Sequence, residues 1–195
     1  MVEKAEYFYD DFPWLKGVKS LEGYLFPDTY YFTLEEDPVK VAERFLSKFE
    51  KIVLPLYQKN TKKTKLSLHE AVTLASIVEK EAKFNFEKSV IAGVFYNRLN
   101  KGMKLMADPT VKYALGDFSK KLSKELLTYP SSYNTYLHSG LPPGPICSPG
   151  IESIKAVIHP AQVEYLYFVA RGDGTHKFST TYEEHLKAIK TYQRG

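Results

Sequence analysis

Glu79 and Glu81 are the first residues whose type and setting could do chemistry. They stand near the end of an apolar stretch whose periodicity predicts a helix over 67–83. At about 100° per residue, Leu68, Ala71, Val72, Ala75, Val78 and Ala82 share one apolar arc. Glu79 projects inside that arc, close to Val72 and Ala75. Glu81 sits near its edge, while Glu70 and Lys80 point to solvent. A carboxylate in an apolar stripe is costly unless it is protonated, paired or hydrogen-bonded. Desolvation raises its pKa, which is what a general acid needs at neutral pH. A Glu bridged to an Arg or Lys for structural reasons gives the same pattern.

Other reactive types carry weaker signals. Asn97 and Arg98 lie on a second helix beside Val94, Phe95 and Leu99. Arg98 could orient a carboxylate or make a surface ion pair. Asn97 could bind a sugar hydroxyl or stand as a neutral helix-end residue. His138, His159, His176 and His185 match no metal-ligand spacing. His176 remains a candidate substrate contact. Ser148 and Ser179 lack the G-x-S-x-G elbow, and no phosphate loop occurs. Cys147 is the single cysteine, so no intramolecular disulfide can form.

Several elements must position these groups. Asp37-Pro38 starts a helix with apolar periodicity through Val41, Phe45 and Phe49. Ser67 and Glu70 have capping-box spacing. A helix follows from about 85 to 100 or 101, stopped by Gly102. Asp108-Pro109 reads as N-cap plus N1 proline, with Gly116 closing a short helix. Residues 129–150 form a long proline-rich loop, stiff and expected to be functional. A helix over 151–159, a strand over 165–170, a turn at 171–174 and a return strand over 176–179 follow. Thr180, with Glu183 three residues on, is expected to cap a last helix. Residues 21–32 read as a turn-broken extended segment, and 1–20 as the tail of an upstream piece. Helices with one hairpin indicate an α+β fold.

The 195 residues suffice for one domain and a substantial core. A net charge of +4 is far from the footprint of a dedicated nucleic-acid binder. The lysine run at 59–65 reads as a solvated loop. The 15 Tyr and 12 Phe suit sugar contact as well as a core. No run of 18 apolar residues and no signal peptide is visible, so the chain is either cytosolic or a soluble part of something longer.

Six ordered stretches carry a resemblance: 21–32 (LEGYLFPDTYYF), 75–82 (ASIVEKEA), 94–99 (VFYNRL), 102–116 (GMKLMADPTVKYALG), 132–150 (SYNTYLHSGLPPGPICSPG) and 165–185 (YLYFVARGDGTHKFSTTYEEH). Together they resemble the YceG-like (MltG) endolytic murein transglycosylase family. The resemblance implies an α+β catalytic domain over 21–195 and cleavage of the MurNAc-β-1,4-GlcNAc bond within glycan strands. It implies Glu79, the first Glu of I-V-E-K-E-A, as acid and then base. The muramoyl 6-hydroxyl would attack its own anomeric carbon, leaving a 1,6-anhydro end, so one carboxylate could suffice where ordinary glycosidases need two. No metal, nucleotide or organic cofactor is implied.

The implied substrate-binding residues are Glu22, Asp28, Asn97, Asp108, Tyr133, Asn134, Thr135 and His176. The 141–144 loop would shape one groove wall, with Phe178 nearby. Turn chemistry is the competing reading for Glu22, Asp28 and Asn134. The implied partners are peptidoglycan strands and, for a full-length protein, cell-wall synthesis proteins, with no nucleic acid. Family members carry an N-terminal membrane helix and a LysM-like module that this chain lacks. The expected location is the periplasmic side of the cytoplasmic membrane. A non-catalytic peptidoglycan-binding domain and a two-carboxylate hydrolase using Glu79 with Glu22, Asp28 or Asp108 are the alternatives.

Overall fold

The computed structural model describes residues 3–61 and 64–193. Part of the lysine run at 59–65 therefore lies outside the described residues. Six helices and one antiparallel hairpin make an α+β domain.

Helix α1 (Pro38–Asn60) starts where expected, with Asp37 accepting from the Val39 N–H. Helix α2 (Leu68–Glu81) begins with the Ser67/Glu70 capping box, both halves formed. All residues from Ala71 to Val78 are buried, so α2 is enclosed on every side through its middle. It packs against α3 (Asn85–Asn100) and α5 (Ile151–Ile158), which also pack on each other. The shorter α4 (Asp108–Ala114) meets α2. Strands β1 (Tyr167–Ala170) and β2 (His176–Ser179) pair from Tyr167↔Ser179 to Ala170↔His176, and α6 (Tyr182–Tyr192) covers them.

Some boundaries differ from the sequence reading. Helix α2 stops at Glu81, with Ala82 extended behind it. Asp108 is the first helical residue rather than the cap, because its carboxylate is taken by the Tyr136 hydroxyl. Thr181 and Glu184 form the last capping box, one residue beyond Thr180 and Glu183. Residues 21–32 contain no strand; a turn closes from Tyr24 N–H to the Leu21 carbonyl. The 3–20 segment does not trail away as a tail would. Ala5, Phe8, Phe12, Leu15 and Val18 are buried in the same core as α1 and α2, and Trp14 stacks on Phe49 at 5.0 Å.

The proline-rich loop is fastened along α2. His69 bonds the Pro143 carbonyl at 2.9 Å. Because that carbonyl can only accept, Nε2 carries the proton and Nδ1 accepts from the Tyr24 hydroxyl at 2.7 Å. Ser76 Oγ accepts from Ile146 N–H, and Glu79 accepts from Gly150 N–H. Gly23, at φ +90°, lies under this loop, where an added Cβ would come within 2.4 Å of the Pro145 ring. Gly23→Ala should therefore destabilise the domain by about 2–4 kcal/mol, from left-handed strain plus overpacking. Urea unfolding measures this; an unchanged midpoint would contradict the contact.

Candidate active site

Glu79 and Glu81 of α2 are two residues apart, hence about 200° apart around the helix. They occupy opposite electrostatic settings. Glu79 is half-buried, and its Oε2 accepts from Lys88 Nζ at 3.0 Å, Gly150 N–H at 3.2 Å and Ser153 Oγ at 2.5 Å. Gly150 is the N-cap of α5 and Ser153 lies in its first turn, so the carboxylate sits against the positive end of that helix. Burial is the largest single influence and pushes the pKa up. The Ser153, Lys88 and Gly150 contacts together outweigh it, and the net shift is downward. The expectation of a raised pKa at Glu79 is thus corrected: the carboxylate pairs buried Lys88 and its pKa is lowered.

Glu81 faces a cavity of about 430 Å³ between the helices and the hairpin, which Arg98, Asp108, Tyr136, His176 and His185 also line. Enclosure pushes its carboxyl up to about 8; the negative charge of Asp108 adds to this, and Arg98 and Lys112 partly offset it. Near neutral pH, Glu81 therefore holds a proton. Arg98 is itself buried. Its Nε donates to the Leu166 carbonyl at 2.6 Å, Nη1 donates to the Leu105 carbonyl at 2.5 Å, and its guanidinium lies over Tyr167.

Of the residues expected to bind substrate, the structure gathers Asp108 and His176 around Glu81 and leaves the others elsewhere. Tyr136 donates to Asp108 Oδ1. His176 is held by Glu87, which accepts from both its backbone N–H and Nδ1 at 2.9 Å. Asn134 is fully buried, and its amide donates to the Leu127 and Tyr129 carbonyls. Thr135 is also buried; its Oγ1 accepts from Ala107 N–H and its carbonyl from Met106 N–H. Both residues therefore act through backbone. Thr135 braces the 105–108 segment, in which Met106 (φ +48°) is the one non-glycine residue at positive φ among the described residues.

Asn97 spends its amide hydrogens on the Val163 and Tyr165 carbonyls, tying α3 to the chain before β1. Glu22 is half-buried, with its pKa raised by burial and drawn back by Lys80. Tyr133 pairs with Tyr113 at 4.8 Å, and both rings feel the Glu22 charge. Asp28 is exposed and paired with Lys48 at 2.7 Å; with Lys88 and Gly150 it lines a shallow groove on the Glu79 side. The sequence reading did not single out Tyr136 or Glu87, weighed His185 only among the histidines lacking a metal-ligand spacing, and ranked Glu81 behind Glu79 because it sits near the arc's edge. The ordering of I-V-E-K-E could have raised Glu81 had α2 been recognised as buried all round.

The fold is a small α+β domain with a cavity lined by Glu81, Arg98 and Asp108. A family model described as the YceG-like family matches residues 2–191, and the chain belongs to that family. A protein of Bacillus subtilis (strain 168) called an endolytic murein transglycosylase is 41% identical over 178 residues, covering 91% of this chain and 49% of that protein. A Streptococcus pneumoniae protein of the same name (serotype 2, strain D39 / NCTC 7466) is 35% identical over 175 residues, covering 87% of this chain and 32% of its own length. The chain thus spans about half and about a third of these relatives. A crystal structure of a yceG-like protein from Listeria monocytogenes superposes with a TM-score of 0.86 at 39% identity, covering 95% of this chain and 63% of that one.

The raised pKa of Glu81 has a stability consequence. The folded state holds the Glu81 proton more tightly than the unfolded state does, so this group's contribution is fully present below its ordinary value of 4.5 and is lost by about pH 8. Glu81→Gln should remove that dependence. Relative to wild type, the variant should gain stability between acidic and mildly alkaline pH, read by urea unfolding at both ends. Parallel pH profiles for the two proteins would contradict a raised Glu81 pKa.

Proposed function

We propose that this chain is the catalytic domain of an endolytic murein transglycosylase, cutting the MurNAc-β-1,4-GlcNAc bond with Glu81 as acid and then base. The observation that carries this reading is the cavity lined by Glu81, Asp108 and Arg98, whose enclosure pushes the Glu81 carboxyl upward. The names of the Bacillus and Streptococcus relatives support the substrate and reaction class.

In this reading Glu81 protonates the glycosidic oxygen as the C1–O bond breaks. Asp108 opposes ionisation of Glu81 beforehand and stabilises positive charge at the anomeric carbon afterwards. Arg98 and Lys112 steady the carboxylate once the proton has left. The muramoyl 6-hydroxyl then bonds to the anomeric carbon and returns a proton to Glu81, so the enzyme regenerates itself without water. The nucleophile is tethered to its own electrophile, which prepays much of its positional entropy. The catalytic unit takes in residues 21–195, and 3–20 brace it. In this reading the domain acts on the periplasmic side of the cytoplasmic membrane, where murein lies, and cell-wall synthesis proteins are further partners. Among the described residues, no helix is long and apolar enough to cross a membrane.

The neighbouring Asp108 also favours a second reading, a hydrolase with two carboxylates flanking the scissile bond. Products from murein sacculi separate the two by mass: 1,6-anhydro ends weigh one water less than hydrolytic reducing ends. The transglycosylase reading expects anhydro products, and reducing ends alone would sink it.

Glu81→Gln should lower turnover at least about 100-fold while retaining glycan binding. Glu79→Gln should keep most of the turnover and lose stability instead, because buried Lys88 loses its counter-charge. A dead Glu79→Gln beside an active Glu81→Gln would reverse the assignment. The turnover of wild type should also fall as pH rises through about 8, where Glu81 loses its proton.

A further inference from the structure

Glu87 is a carboxylate the reaction above does not use, yet it is buried to 5% exposure in the first turn of α3. Burying a carboxylate is costly unless its oxygens are met. Here both are met by one residue of β2: Oε1 takes the His176 backbone N–H and Oε2 takes the ring Nδ1, each at 2.9 Å. The ring is further confined by Phe168, edge-on at 5.3 Å, and by Phe178 at 6.2 Å. An ionised carboxylate only accepts hydrogen bonds, so Nδ1 must carry a hydrogen. In the neutral ring Nε2 is then an acceptor with its lone pair free. Nε2 bonds no described residue and is not among the buried unpartnered atoms, and His176 lines the cavity that holds Glu81.

We propose that Glu87 is a positioning residue that fixes the tautomer and aim of His176, so that Nε2 accepts a hydrogen bond from a hydroxyl or acetamido N–H of the bound saccharide. This rests on the glycan-cleaving reading and deepens it. Glu87 touches no substrate; its whole effect passes through the imidazole, as carboxylates behind histidine ligands do elsewhere.

The arrangement makes Glu87→Gln informative. An amide offers one acceptor oxygen where two donors wait. If that oxygen keeps the backbone N–H, the amide nitrogen faces Nδ1, which must then accept. The ring proton moves to Nε2, and the cavity meets a donor where it had an acceptor. Glu87→Asp keeps a carboxylate and should rescue in part.

The test is nitrogen-15 NMR of the histidine ring at mildly alkaline pH, on the Glu81→Gln protein and on the same protein carrying Glu87→Gln. Each is titrated with a tetrasaccharide of alternating GlcNAc and MurNAc. The parent should show His176 with Nε2 unprotonated, and that resonance should shift on adding the saccharide. Glu87→Gln should move the proton to Nε2 and weaken binding about tenfold. In otherwise wild-type protein it should raise KM more than it lowers kcat. A parent whose Nε2 is protonated, or whose Nε2 resonance is unmoved at saturation, would overturn the inference without needing any variant to fold. A tetrasaccharide that fails to bind the parent, with the tautomer as expected, would instead bring down the glycan reading, and the proposed ligand with it.

Discussion

The proposed chemistry depends on one constraint: a carboxyl at the end of α2, set in the cavity between the helices and the hairpin beside a second acid. Water would ionise Glu81, but the cavity does not solvate the charge and Asp108 opposes it. Arg98 could cancel this effect through a direct ion pair. Its hydrogen bonds go instead to the Leu105 and Leu166 carbonyls, so it moderates the field from a distance. The result is an acid near neutrality whose conjugate base still has cations close by.

Two residues earlier the same helix carries a carboxylate with the opposite fate. Glu79 meets Lys88, Ser153 and the start of α5, and its proton is driven off. Its contacts tie α2 to α3 and to the start of α5. With His69 and Ser76 it holds the stiff proline-rich loop along α2. That loop in turn rests on Gly23, where no side chain fits. The buried Thr135 holds the 105–108 backbone in the same way. A site with one desolvated acid and one strained residue, Met106, trades stability for reactivity, and this dense polar bracing compensates.

The elements with strong local chemistry were legible in the sequence. The Ser67/Glu70 box, the Asp37-Pro38 start and the hairpin around 171–174 all rest on contacts within a few residues, and the structure contains each of them. The last cap slipped by one because Thr180-Thr181-Tyr182-Glu183-Glu184 satisfies the same spacing in two registers. The opposite electrostatic settings of Glu79 and Glu81 were not legible. An apolar arc discriminates only when one helix face meets water, and the middle of α2 meets none. What separates the two acids is long-range: α5 and Lys88 on one side, Asp108 and Arg98 on the other. The same holds for Asn97, Asn134 and Thr135, whose motif positions looked like ligands but whose polar atoms are consumed by distant backbone.

The most direct test is a carbon-13 NMR titration of the Glu81 side-chain carboxyl in the intact domain, assigned by its disappearance in Glu81→Gln. The account predicts a midpoint near 8, with Glu79 titrating below the ordinary carboxylate range. A Glu81 midpoint at the ordinary value, or a raised midpoint at Glu79 in its place, would contradict it.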